Sequence, residues 1–305
     1  SEAGRKIIYF HLLKMLDHEA GTRAGENIEE LHDMRVATRR MRAAFVVFGS
    51  YFDPQAMAPF MKGLRRTARA LGAVRDLDVF MEKARQYLQT LPEAEQTSLD
   101  PLLSSWREQR EAARRRMLDH LDSARYQDFV RAFADFLKTE GTGVLTETKS
   151  RPVPLLVAQV APSVIYQRLG EVRAFETLLP DAPVTTLHAL RIACKRLRYT
   201  LEFFEEALGP QAKEVIKEVV AMQDYLGALQ DAAVSCDLLR DFLNDWAERQ
   251  KSEKIAERID IHGVTQYLAA KQAEVYELLR NVPAAWQRLN APQLRERLAR
   301  ALAVL

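Results

Sequence analysis

The chain is poor in the residues that build most specialised sites. Its 305 residues include only two cysteines, Cys194 and Cys236, which excludes a disulfide framework and points to a reducing compartment, the cytoplasm. Glycine and proline number 12 each, too few for collagen-like or low-complexity architecture. No apolar run reaches the roughly 18 residues of a membrane span. The best stretch, Val153 to Ile165, is broken by Pro154, Gln159 and Pro162. Ile7-Ile8-Tyr9-Phe10 is too short for the apolar core of a signal peptide. HExxH, CxxC and clustered carboxylates are missing, and no glycine-rich phosphate loop opens a helix. Neither a metal, a cofactor nor a catalytic centre is therefore expected. His11, His18, His120 and His262 are scattered and read as ordinary surface or core histidines.

What is present is helical periodicity. With 48% hydrophobic and 28% charged residues the chain is globular. Asn27 followed by Glu30 is an N-cap and N3 pair opening a helix to about Gly49, and Asp53-Pro54 opens a second to about Leu91. Helices are expected at 97–123 and 125–139, then near 156–178, 184–208, 211–246, 252–280 and 290–304. No alternating strand pattern is found. Gly141 to Pro154 is the best linker, which divides an all-α chain into halves 1–140 and 155–305.

The halves resemble each other. Leu31 to Arg42 (LHDMRVATRRMR) aligns without gaps on Leu187 to Arg198 (LHALRIACKRLR), six of the twelve pairs being identical. Leu71 to Asp76 (LGAVRD) aligns on Leu226 to Asp231 (LGALQD), at an offset of 155 residues against 156 for the first block. Two ordered matches at nearly one offset indicate an internal duplication. Two helical bundles related by a pseudo-two-fold axis follow as the expected architecture. The glycines in the second block read as close helix-packing points.

Charge is sorted along the chain. The net charge is only +2, yet residues 31–75 hold nine Lys or Arg against Asp33 and Asp53 alone. Of the basic residues 32 are Arg, whose planar fork grips phosphate oxygens. His32, Arg35, Arg39 and Arg42 fall within an arc of about 80° on a helix, and His188, Arg191, Lys195 and Arg198 repeat their spacing. Leu31, Met34, Met41 and Phe45 occupy the neighbouring, core-facing arc. A solvated basic face would interleave acids at i±4. No acid lies between Asp33 and Asp53, or between Asp181 and Glu202. An external polyanion accounts for that repulsion better. Lys62, Arg65, Arg66 and Arg69 share one face of the next helix, with Asp76 two turns on as a salt-bridge partner orienting one of these arginines. In the second half Lys217 matches Lys62, but Val220, Ala221 and Asp224 replace the arginines, so the first half should carry more of the ligand. Arg40 and Arg196 are secondary candidates. Arg114-Arg115-Arg116, flanked by Glu108, Glu111 and Asp119, reads as a solvated face, and the two cysteines as core.

These blocks, with LGAVRDLDV and QDYLGALQDAAV, resemble the CHAD family, the conserved-histidine α-helical domain, from the first helix to at least residue 240. The resemblance implies two pseudo-symmetric four-helix bundles enclosing a basic central cavity that binds inorganic polyphosphate. His32, Arg35, Arg39 and Arg42 match the family's first motif, and His188, Arg191, Lys195 and Arg198 its second. Family members are often fused to a CYTH-type triphosphatase, whose ExExK motif is absent from this sequence. The implied role is non-enzymatic targeting to, or organisation of, cytoplasmic polyphosphate bodies, with no membrane partner. Two alternatives share the same charge: phosphoryl transfer through His32 or His188, and non-specific nucleic-acid binding. A nucleic-acid reader would interleave aromatics for stacking, and none occurs from residue 31 to 44.

Overall fold

Helix dominates the computed structural model of the chain, which describes residues 1–145, 156–251 and 260–305. The elements in order are α1 (Glu2–Asp17), α2 (Glu19–Ala24), α3 (Ile28–Phe48), α4 (Pro54–Leu88), α5 (Asp100–Asp122) and α6 (Ala124–Lys138). There follow α7 (Val157–Arg173), α8 (Val184–Phe204), α9 (Gln211–Gln250), α10 (His262–Leu289) and α11 (Pro292–Leu302). Among the described residues there is no strand, only an isolated antiparallel bridge between Phe52 and Val144. The all-α expectation holds.

The differences from the sequence expectation are local. Two helices precede Asn27, where periodicity assigned no boundaries. Asn27 caps α3 by accepting from the Glu29 N–H at 3.0 Å, but Glu30 turns to the Nδ1 of His18 at 2.9 Å. That imidazole outcompetes a return bond to the cap. The expected helices at 156–178 and 184–208 end earlier, each tightening into a 3₁₀ turn, Glu176–Asp181 and Glu205–Ala207. For the expected helix at 252–280, residues 252–259 lie outside the described residues, and α10 runs on through Pro283 to Leu289. Val282, Ala285, Trp286 and Leu289 are all buried there. Their packing outweighs the one backbone bond that proline removes. Of the expected linker, 146–154 lies outside the described residues. Its first part is tied to the α3–α4 turn: the Asp53 N–H donates to the Gly143 carbonyl at 2.8 Å, and Leu145 to Tyr51 at 3.2 Å. Of the expected solvated face, Arg115 and Arg116 are exposed, whereas Arg114 is half-buried and donates to the Arg23 and Ala24 carbonyls at 2.7 and 3.0 Å, closing the C-terminus of α2.

The chain divides into two compact units that interleave in sequence rather than following the contiguous halves. Unit 1 comprises residues 1–79, 108–164 and 202–207. Its core takes Ile8, Leu12 and Met15 from α1, Leu31, Met34, Met41 and Phe45 from α3, and Leu64 and Leu71 from α4, all buried. Phe133 of α6 stacks on Phe60 at 4.8 Å, Phe129 at 5.6 Å and Phe45 at 6.1 Å between centroids. Truncating Phe133 to Ala should cost about 3–5 kcal/mol.

Unit 2 comprises residues 80–107, 165–201 and 208–305. Leu187, Leu190, Cys194 and Leu197 of α8 are buried, as are Val219, Met222, Leu226, Leu229 and Cys236 of α9. Both cysteines are therefore core, and burial pushes the Cys194 thiol up to about 12. Tyr267 of α10 packs on Tyr87 at 4.6 Å, and the Gly209 N–H donates to the Ala301 carbonyl at 2.9 Å, fastening α11.

Candidate functional site

The apolar positions of α3 set where its basic positions go. With Leu31, Met34, Met41 and Phe45 buried, His32, Arg35 and Arg39 are held half-buried at the core's edge, and Arg42 emerges into solvent. α4 meets this stripe in antiparallel register. Near one end Arg42 faces Arg65 and Arg69, whose charges, after burial, hold its guanidinium below the ordinary arginine value. In the middle Arg35 donates to Asp76 at 3.1 Å, and its Nε lies 3.7 Å from where a Cβ on Gly72 would stand. At the other end the charge of Arg75 reaches His32. Lys62, Arg65, Arg66 and Arg69 line a groove of about 710 Å³ floored by Phe45, Met57 and Met61. Asp76, expected to orient an arginine of its own helix, accepts from Arg35 of α3. Arg69 is two turns away, about 10 Å along the axis, whereas α3 brings Arg35 alongside.

Arg75 was missed. It is only 9% exposed; its Nη2 is 3.5 Å from Glu29 Oε1, and its Nη1 finds no hydrogen-bond partner among the described residues. The signal was present, because Arg75 is the charge that separates LGAVRD from LGALQD. His32 is held below the ordinary histidine value by burial first, then by Arg75 and Arg39, against the opposing Glu29 and Asp33. The net shift favours the neutral imidazole in the free protein.

Arg40 leaves the stripe. One residue past Arg39 the helix has turned 100°, and Arg40 pairs with Glu202 at 2.9 Å in a separate groove shared with His11. Burial and the Arg40 charge push that imidazole down to about 4. Arg66 acts on His120, which shares a hydrogen bond with Thr67 at 3.1 Å.

In unit 2, α8 and α9 repeat part of this arrangement. Arg191 Nε lies 3.5 Å from the Cβ position of Gly227, as Arg35 does over Gly72. A Cβ on either glycine would make only ordinary van der Waals contact with its arginine, so each position is a lane along which the arginine lies and that a side chain longer than alanine would fill, rather than a point of backbone-to-backbone packing. Arg191 Nε is buried and has no hydrogen-bond partner among the described residues. Asp231, the match of Asp76, is taken by Lys83 at 2.8 Å. Lys195 and Arg198 are half-buried, Arg198 lying 5.9 Å from the Tyr199 ring centroid, while Arg196 and Lys217 are exposed. His188 is exposed and lines a groove with Gln230, the match of Arg75.

Among the described residues no group of His, Cys, Asp and Glu could hold a metal ion. No helix there is long and apolar enough to cross a membrane. A family model described as the CHAD domain matches residues 6–240. The uncharacterized proteins MT2285 and Rv2226 of Mycobacterium tuberculosis are each 29% identical over 214 residues, 68% of this chain. The chain spans 39% of the length of these curated relatives. Among solved structures, the CHAD domain from the plant Ricinus communis is similar with a TM-score of 0.65 at 23% identity, covering 100% of this chain and 91% of that one. PptA from Streptomyces chartreusis is similar with a TM-score of 0.64 at 17% identity, covering 93% and 98%. At these identities the structural likeness is one of fold.

Proposed function

The chain belongs to the CHAD domain family, and from that premise we propose that it binds inorganic polyphosphate along the α3–α4 and α8–α9 faces. The reading makes it a non-enzymatic module that targets or organises cytoplasmic polyphosphate bodies, its two faces being copies from an internal duplication. The observation that carries it is the groove lined by Lys62, Arg65, Arg66 and Arg69, beside which Arg42 is held below the ordinary arginine value by burial first and then by the charges of Arg65 and Arg69. Such a cluster is stabilised by an external anion. The face continues through Arg35 to Arg75, whose Nη1 is left unbonded among the described residues. A row of donors with no stacking platform suits a polymer of phosphates without bases.

The test is titration with long polyphosphate, tripolyphosphate and a single-stranded oligonucleotide at one salt concentration. Long polyphosphate should bind tightest. With roughly six phosphate contacts its affinity should fall about a thousandfold between 50 and 200 mM salt, by analogy with nucleic acids. An oligonucleotide of equal charge binding as tightly would overturn the assignment.

A further inference from the structure

In unit 2 the stripe histidine opens onto a groove unlike the basic face beside it. His188, Gln230, Asp237, Gln272 and Tyr276 line it, with valines from α8, α9 and α10, around a volume of about 570 Å³. That volume is in the range of small-molecule sites, ~300–1,000 Å³. Tyr276 is 74% exposed, a large aromatic left uncovered on the wall. The cation in the lining, Arg240, donates to Asp237 at 2.8 Å, so the groove offers amides, an imidazole and apolar walls rather than free positive charge. This is a surface for a flat heterocycle with donors and acceptors on its edge.

The next rung supplies what a heterocycle alone would not need. One turn from His188 on α8 and from Gln230 on α9, about 4.5 Å along the axis, Arg191 lies over Gly227 with its Nε buried and unbonded among the described residues. A base joined through a sugar to a phosphate chain has its parts in this order. We propose that unit 2 binds a nucleoside polyphosphate, the base in the groove against Tyr276 and the phosphates on Arg191 and onward along α8. The inference rests on the polyanion reading of the α8–α9 face.

The experiment is calorimetric titration of the full chain with ATP, GTP, tripolyphosphate and long polyphosphate at one salt concentration. At least one nucleotide should bind about tenfold tighter than tripolyphosphate, through stacking and edge contacts. Tyr276→Ala should abolish that advantage and leave tripolyphosphate unchanged, whereas Tyr276→Phe should keep it. Arg191→Ala should weaken both ligands. Tyr276 is exposed, so its truncation leaves the core intact, and an unchanged melting temperature checks this. Equal binding of nucleotides and tripolyphosphate, equal weakening of both by Tyr276→Ala, or no binding of either overturns the groove. If long polyphosphate binds while nucleotides show no advantage, only the groove falls. If long polyphosphate fails while the Tyr276-dependent advantage persists, the groove stands and the polyphosphate reading falls.

Discussion

The α3–α4 face and the α8–α9 face use one backbone device for two electrostatic ends. In each, an arginine lies along a helix over a glycine, Arg35 over Gly72 and Arg191 over Gly227. Around that shared rung the charges diverge. Unit 1 adds Arg65, Arg66, Arg69 and Arg75, and anchors Arg35 on Asp76. Unit 2 has Val220, Ala221, Asp224 and Gln230 at the matching positions, and its Asp231 serves Lys83. A scaffold that fixes where a side chain lies leaves open how much charge accompanies it. The first face is strongly cationic, and the second is mixed in charge.

The sharpest way to break this comparison is charge reversal. Converting Arg42, Arg65 and Arg69 to Glu should lower affinity for long polyphosphate on the order of 100-fold. The same treatment of Arg191, Lys195 and Arg198 should lose about tenfold. Titrations at fixed ionic strength would measure both, and equal losses would show that the faces contribute alike. Next in size is the glycine lane. Gly72→Leu should displace Arg35 from Asp76 and cost about tenfold in affinity, the scale of one charged hydrogen bond. Gly227→Leu should dislodge Arg191 with a smaller loss for the polymer, and unaltered far-ultraviolet circular dichroism would show that the helices persist.

Arg75→Gln makes the first face resemble the second. It should lower polyphosphate affinity a few-fold and raise the His32 pKa, read by NMR titration of the imidazole, because the charge opposing its protonation is gone. An unmoved His32 would mean that burial and the remaining charges set its value without Arg75. The smallest effect is that of pH. A bound polyanion favours the imidazolium, so binding takes up a proton and affinity should rise about threefold as pH falls from 8 towards 6. His32→Gln should flatten the profile. The ligand-free protein behaves oppositely: the folded state holds His32 below its unfolded value, so the unfolded chain takes the proton first. Stability should fall below about pH 6.5, by less than ~1 kcal/mol given the partial exposure of the ring.

Much of this was legible in the sequence. Period and caps located α3 to α6 and α8 to α9 within a few residues, because apolar spacing and turn residues act locally. The same spacing put the stripe at the core's edge. What escaped depends on neighbours that no local pattern names. Arg40 shares the stripe's composition but is claimed by Glu202, far away in sequence. Arg114 looked solvated until the carbonyls ending α2 arrived beside it. Asp76 was assigned along its own helix, whereas its partner Arg35 comes from the helix before. Arg75 sat in plain view within an apolar motif, where a charge is read past. The groove at Tyr276 joins three helices, and no window along the chain contains it.

The arginine lane has a consequence for timing as well as for strength. A guanidinium packed along a neighbouring helix beside a glycine has fewer rotamers open to it than one in solvent, before any ligand arrives. Immobilising a long side chain at an interface ordinarily costs ~0.5–1.5 kcal/mol, and Arg35 and Arg191 enter the encounter with some of that loss behind them. If the polyphosphate reading holds, phosphate would meet two partly ordered forks, Arg35 and Arg191, and the first productive contact on each face would fall beside the glycine.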